Sequence, residues 1–239
     1  MITPLAEESA IYGQRLAPSE VDTKHLWKKG YFKLFLSHLA EHKAKVHQLK
    51  EALSGYGIDS FVAHDDIQPS REWQDEIELA LRSMDSLAAL VTPRFVESKW
   101  CDQEVGWAFG RGIPVLPVRI GCDPHGFSGK FQATSGSLEN PHGLAISLFD
   151  LLRTNTKTRR TLHKALPIAL SRSHSFNMTL ELYQAIVDYS DYTDSEKETI
   201  WQACAENDQV YKVSKATRAI YDKFGHPPSE ETADDEVPF

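Results

Sequence analysis

The sequence predicts an α/β fold: a parallel sheet with helices on both faces, followed by a small C-terminal helical segment. Three observations carry this. Strand-like apolar runs and helix-periodic stretches alternate four times between residues 31 and 120, with short connections, which is the pattern of parallel βαβ units. The strand-like runs are apolar along most of their length, as strands covered on both faces are. Past residue 155 the strand-like runs stop and helical periodicity takes over.

The elements follow in order. YFKLFLSH, residues 31–38, is an aromatic and aliphatic run ending in polar residues, the first strand. In HKAKVHQLKEALSGYG, Val46, Leu49 and Leu53 recur at helical spacing, and Gly55 and Gly57 punctuate the end. IDSFVAH is a second strand, and DDIQPS after it has turn chemistry. REWQDEIELALRSM puts Trp73, Ile77, Leu81 and Met84 on one helical stripe. SLAALVTP is a third strand, stopped by Pro93. Ser98 suits the N-cap of a helix reaching Gly110 or Gly112. IPVLPVRI is a fourth strand, although its two prolines each remove a ladder donor. GCDPHGFSGKFQATSG reads as a loop, and HGLAISLFDLLR as a short fifth strand or the start of a helix. TNTKTRRTLHK is basic and polar and reads as a linker. MTLELYQAIVDY and residues 195–224 read as helices, with Ser195 and Glu198 as a capping box for the second. The predicted organisation is a lead-in over 1–30, an α/β domain over 31–155, a helical segment over 156–228 and a disordered acidic tail over 229–239.

Composition narrows the function. The net charge of −8 gives no general affinity for nucleic acid or anionic membrane, so neither is expected as a partner. No apolar run is long enough to span a bilayer, and the N-terminus has neither a basic start nor an apolar h-region. Cys101, Cys122 and Cys204 are scattered and odd in number, which fits a reducing cytoplasm. No Cys/His spacing resembles a zinc site, so no metal or cofactor is expected.

In open parallel sheets the binding crevice lies beyond the carboxyl ends of the strands. Those ends supply Ser37 and His38, then His64, Asp65 and Asp66, then Thr92 and Pro93, then Arg119 and Gly121. The helix opened by Ser98 begins just past the third end and carries Trp100 and Glu104 four residues apart, on one face. From that spacing alone, a solvated helix glutamate is the stronger reading.

FLSHLAEHK, GIDSFVAHDDIQPSREWQDEIELAL, LVTPRFVESKWCDQEVGWAFGRGIPVLPVRIG and DPHGFSGKFQA, in that order, resemble a bacterial Toll/interleukin-1 receptor (TIR) domain over residues 31–135. The resemblance implies a flavodoxin-like sheet. It also implies NAD+ as a substrate, cleaved at the nicotinamide–ribose bond to ADP-ribose or a cyclic isomer, in bacterial immune or effector signalling. The Trp-x-x-x-Glu signature of such enzymes falls on Trp100 and Glu104, which reverses the reading from spacing. Glu104 is then the catalytic carboxylate and Trp100 part of the pocket wall. Ser37 and His38 are placed to reach ribose or phosphate, and Asp66 and Trp73 to close over the site within the loop after the second strand. One departure is His42, where related domains often carry an acid.

The chemistry suits one carboxylate. Nicotinamide leaves NAD+ as a neutral base, so no acid is needed to protonate it, unlike the leaving group of an ordinary glycoside. A single carboxylate then stabilises the growing positive charge on the ribose. The alternative is a non-catalytic TIR module acting by self-association, with the C-terminal helices as an assembly or partner-binding element. A response-regulator receiver is excluded because Val91-Thr92-Pro93 stands where its phosphoacceptor aspartate belongs. A dinucleotide dehydrogenase is not expected, since no GxGxxG follows the first strand.

Overall fold

A computed structural model describes residues 23–62, 73–130 and 132–227. Five strands form one parallel sheet: β1 (Phe32–Ser37), β2 (Ile58–Phe61), β3 (Ser86–Val91), β4 (Val115–Arg119) and β5 (Thr134–Ser135), in the order β2-β1-β3-β4-β5. This is the flavodoxin-like order. The helices between them are α1 (Lys43–Ser54), α2 (Trp73–Ser83) and α3 (Lys99–Gly110). Then come α4 (Pro141–Thr154), α5 (Arg159–Ser171), α6 (Phe176–Val187), α7 (Asp194–Glu206), α8 (Asp208–Lys212) and α9 (Ser214–Phe224).

Strand parity divides the core. Phe32, Leu34 and Leu36 of β1 join Ala88 and Leu90 of β3 and Leu116 and Val118 of β4 on the face covered by α1 and α4. Phe35 joins Leu87, Ala89, Val91 and Val115 on the opposite face, against α2 and α3. Successive side chains on a strand alternate faces, so Ser37, two residues after Phe35, points toward α3. This parity positions the site described below.

Pro117 costs the ladder of the fourth strand nothing, and Pro114 lies just before the strand. The Pro114 carbonyl accepts from Leu87 and the Ile120 amide donates to Val91, so even-numbered residues bond β3, while the Arg119 carbonyl accepts from Gly136 on the other side. Pro117 shares the parity of Arg119 and faces β5, which pairs only with Val118 and Arg119. The fifth strand is Thr134–Ser135, inside the stretch expected to be loop. HGLAISLFDLLR is helical throughout, within α4, and Asn140 caps it by accepting from the Gly143 amide at 3.0 Å.

The expected linker TNTKTRRTLHK is corrected: its second half is the start of α5, whose Leu162, Leu166, Ala169 and Leu170 are fully or nearly buried while Arg159, Arg160 and Lys164 face out. The expected capping box at Ser195 and Glu198 is also corrected. It is made by Thr193 and Glu196, with Glu196 accepting from the Thr193 amide at 2.8 Å and Thr193 from the Glu196 amide at 3.3 Å.

The C-terminal helices share the sheet's core. Leu166, Leu182, Ile186, Ile200 and Ile220 belong to the same apolar cluster as Leu34 and Leu148. Tyr56, fully buried, stacks on Phe149 at 4.8 Å and donates to Glu181 on α6 at 2.5 Å. Gly57 has φ +73°, and a Cβ there would lie 3.0 Å from the Ala165 carbonyl, so glycine is what lets α5 approach the start of β2. No helix among the described residues is long and apolar enough to cross a membrane.

Candidate active site

Helix α3 starts where the sequence places it: the Ser98 hydroxyl accepts from the Cys101 amide at 3.3 Å. Its buried residues are Cys101, Glu104, Val105 and Ala108, an i, i+3, i+4, i+7 stripe laid on the sheet. Glu104 is thus the one acid in a stripe that is otherwise small or apolar, and it is only 6% exposed.

The carboxylate is met from β1. Ser37, completely buried at the strand's carboxyl end, donates to Glu104 Oε2 at 2.5 Å. Burial pushes the Glu104 carboxyl from its ordinary 4.5 up to about 7, while the Ser37 hydroxyl pulls in the opposite direction. Desolvation wins because one neutral donor replaces only part of the hydration that a carboxylate loses. Near neutral pH, then, the group sits between its acid and its anion.

His38 continues the strand end. Its Nδ1–H donates to the Leu36 carbonyl at 2.7 Å, and its own carbonyl accepts from the Cys101 thiol at 3.5 Å, which ties β1 to α3 beside the acid. The Cys101 thiol is pushed up to about 11, chiefly by burial. Buried and protonated, it is a packing group there.

The aromatic residues lie differently. Trp100 is 40% exposed and Trp107 38% exposed, so both rings flank the stripe at the helix surface. Trp107 sits three residues after Glu104, off the stripe that Val105 and Ala108 define. Trp73 opens α2, but its side chain, like all of Asp66, lies outside the described residues. At the end of β4, Arg119 pairs with Asp123 at 2.5 Å. Phe127 stacks on Phe109 of α3 at 4.7 Å, with the Lys130 ammonium near both rings. Among the described residues there is no cluster of three or more His, Cys, Asp or Glu that could hold a metal.

The structure therefore unites Ser37 and Glu104 directly, sets His38 beside them through backbone contacts, and leaves Trp100 on the rim. The pairing has a signal in the sequence. Cys101, Glu104, Val105 and Ala108 form a helical stripe, and the β1 alternation aims Ser37 at it.

No curated protein matches the chain. A family model described as TIR domain matches residues 34–142, from within β1 to the first turn of α4. The matched stretch contains residues of all five strands and the Ser37–Glu104 contact, and the match places a TIR domain at residues 34–142 of this chain.

Proposed function

We propose that this protein cleaves NAD+ at the nicotinamide–ribose bond, with Glu104 as the catalytic carboxylate. The observation that carries the reading is a buried acid, held by Ser37 at the carboxyl ends of the strands, in a helix stripe where packing alone would favour an apolar residue. A TIR domain at 34–142 with a Trp100–Glu104 pair supports it. In a low-dielectric site a carboxylate stabilises a nearby ribosyl cation more strongly than in water. Ser37 fixes the carboxylate's orientation, so little reorganisation accompanies charge development. Trp100 contributes an aromatic rim, and His38, Asp66 and Trp73 complete the substrate contacts. The proposed setting is cytoplasmic defence or effector signalling.

The test is incubation with NAD+ and chromatographic separation of products, beside Glu104→Ala. Nicotinamide release by the native chain and none by the variant is expected; equal release by both would remove the assignment. A second reading, association through the TIR domain, is favoured by the exposed Val96, Trp100, Trp107 and Phe127 around α3. NAD+ left intact at concentrations where the protein self-associates would make association the primary function.

A further inference from the structure

Away from the strand ends, a cavity of about 410 Å³ opens where the end of α4, the start of α5 and the turn after α6 meet. Its volume falls within the roughly 300–1,000 Å³ range of small-molecule sites. Unlike most such sites it is lined by polar and charged groups. Arg153 comes from α4, Arg159 and His163 from α5, and Asp188, Ser190 and Asp191 from the turn.

The charges on this lining are unevenly spent. Arg153 is occupied by Asp150 at 2.7 Å and lies 3.7 Å from Asp188. Arg159 and Asp191 make no side-chain hydrogen bond or ion pair among the described residues, with each other or with anything else. Lys223, outside the lining, donates to Ser190 at 3.3 Å. The floor is built rather than incidental. His163 is 5% exposed and lies flat on Tyr189, with ring centroids 4.1 Å apart, and its Nδ1 is 3.3 Å from the Tyr192 hydroxyl. That leaves Nε2 as the atom with no partner among the described residues. Burial and the two arginines hold the imidazole down, at about 4, so it is a neutral hydrogen-bonding group. Arg159 and His163 stand four residues apart on one face of α5, so the helix offers a cation and a ring nitrogen to the same cavity.

We propose that this cavity binds a phosphorylated sugar, the phosphate at the Arg159 guanidinium, the hydroxyls at Asp191, Ser190 and His163 Nε2. Guanidinium is the group suited to a phosphate, and carboxylates accept from ribose-type hydroxyls. A free phosphate leaves most of this volume and the Asp191 side unused. The site is independent of Glu104 and of the reading given above for it.

The test uses the full chain, with ribose 5-phosphate, inorganic phosphate and ribose as probes, read by thermal shift and calorimetry. Ribose 5-phosphate is expected to raise the melting temperature saturably and to bind at least tenfold more tightly than phosphate or ribose alone. Arg159→Ala and Asp191→Asn change exposed side chains without ion pairs, so both should melt near the native temperature without ligand. Each is expected to lose at least tenfold in affinity. No binding at millimolar ribose 5-phosphate, equal binding of inorganic phosphate, or undiminished binding by both variants would overturn the proposal.

Discussion

Replacing Glu104 by Gln should stabilise the protein in a pH-dependent way while abolishing NAD+ cleavage. The side-chain amide has nearly the same shape, and its carbonyl can still accept from Ser37, so the hydrogen bond survives. What changes is the charge. The carboxyl titrates near 4.5 when unfolded and near 7 in the fold, so folding is opposed as the group ionises. At low pH both states are protonated and there is no penalty. As pH rises past 4.5 the unfolded chain ionises while the folded chain does not, and stability falls until about pH 7, above which the loss is constant. At about 1.4 kcal/mol for each tenfold change in proton affinity, the full loss is about 3 kcal/mol. For a chain of this size that corresponds to roughly 6–12 °C in Tm. Denaturant unfolding of both proteins from pH 5 to pH 8.5 measures it. The variant's advantage should widen by about 2–3 kcal/mol over that interval. A gap that stays constant with pH, or a variant less stable at pH 8.5, would show that the acid is not desolvated in the way the structure describes.

Three further outcomes are expected. Ser37→Ala removes the donor that favours the Glu104 anion, so the rise of NAD+ cleavage with pH should move about one pH unit to the alkaline side, with a roughly fivefold to tenfold loss at pH 7; an unmoved profile would deny Ser37 a positioning role. Iodoacetamide at pH 7.5 should label the half-buried Cys122 before Cys101 and Cys204, whose thiols burial raises to about 11 and about 12, as peptide mass spectrometry would read; early labelling of Cys101 would mean that the seam between α3 and β1 opens. Leu182→Ala, in a fully buried position of α6, should cost about 2–5 kcal/mol and lower a single unfolding transition, whereas two separated transitions would show that the helices fold apart from the sheet.

The sheet was legible in the sequence because its strands carry dense apolar runs: Phe32–Ser37 and Ser86–Val91 stand out against helix-periodic neighbours. Thr134–Ser135 was not legible, since two small polar residues at an edge leave no hydrophobic signature. Helix α5 was hidden for a different reason. Its exposed arginines come first, its apolar face begins only at Leu162, and Pro167 lies in its interior, where proline ordinarily argues against a helix. The capping box was displaced by one turn motif because Ser195–Glu198 and Thr193–Glu196 satisfy the same pattern, and only the backbone's entry into the helix distinguishes them.

Within the site, the Trp100–Glu104 spacing was visible but its meaning was not. Four residues place two side chains on one side of a helix, yet the stripe that meets the sheet is set by Cys101, Val105 and Ala108, which takes Glu104 in and leaves Trp100 at 40% exposure. The partner of the acid, Ser37, comes from 67 residues away. Local periodicity supplies its direction, and only the pairing of β1 with β3 supplies its distance.

The welding of the last five helices onto one flank of the sheet makes the domain lopsided. Apolar side chains from α5, α6, α7 and α9 are already committed there, although Phe176, Leu180 and Tyr211 stay exposed on the outer side of α6 and α8. The surface around α3, with its half-exposed tryptophans and the buried acid between them, lies on the opposite face of the sheet. A contact that recruits those rings would grip the helix within about one turn of the carboxylate on either side, so a neighbour docked there would hold the same backbone that holds the acid.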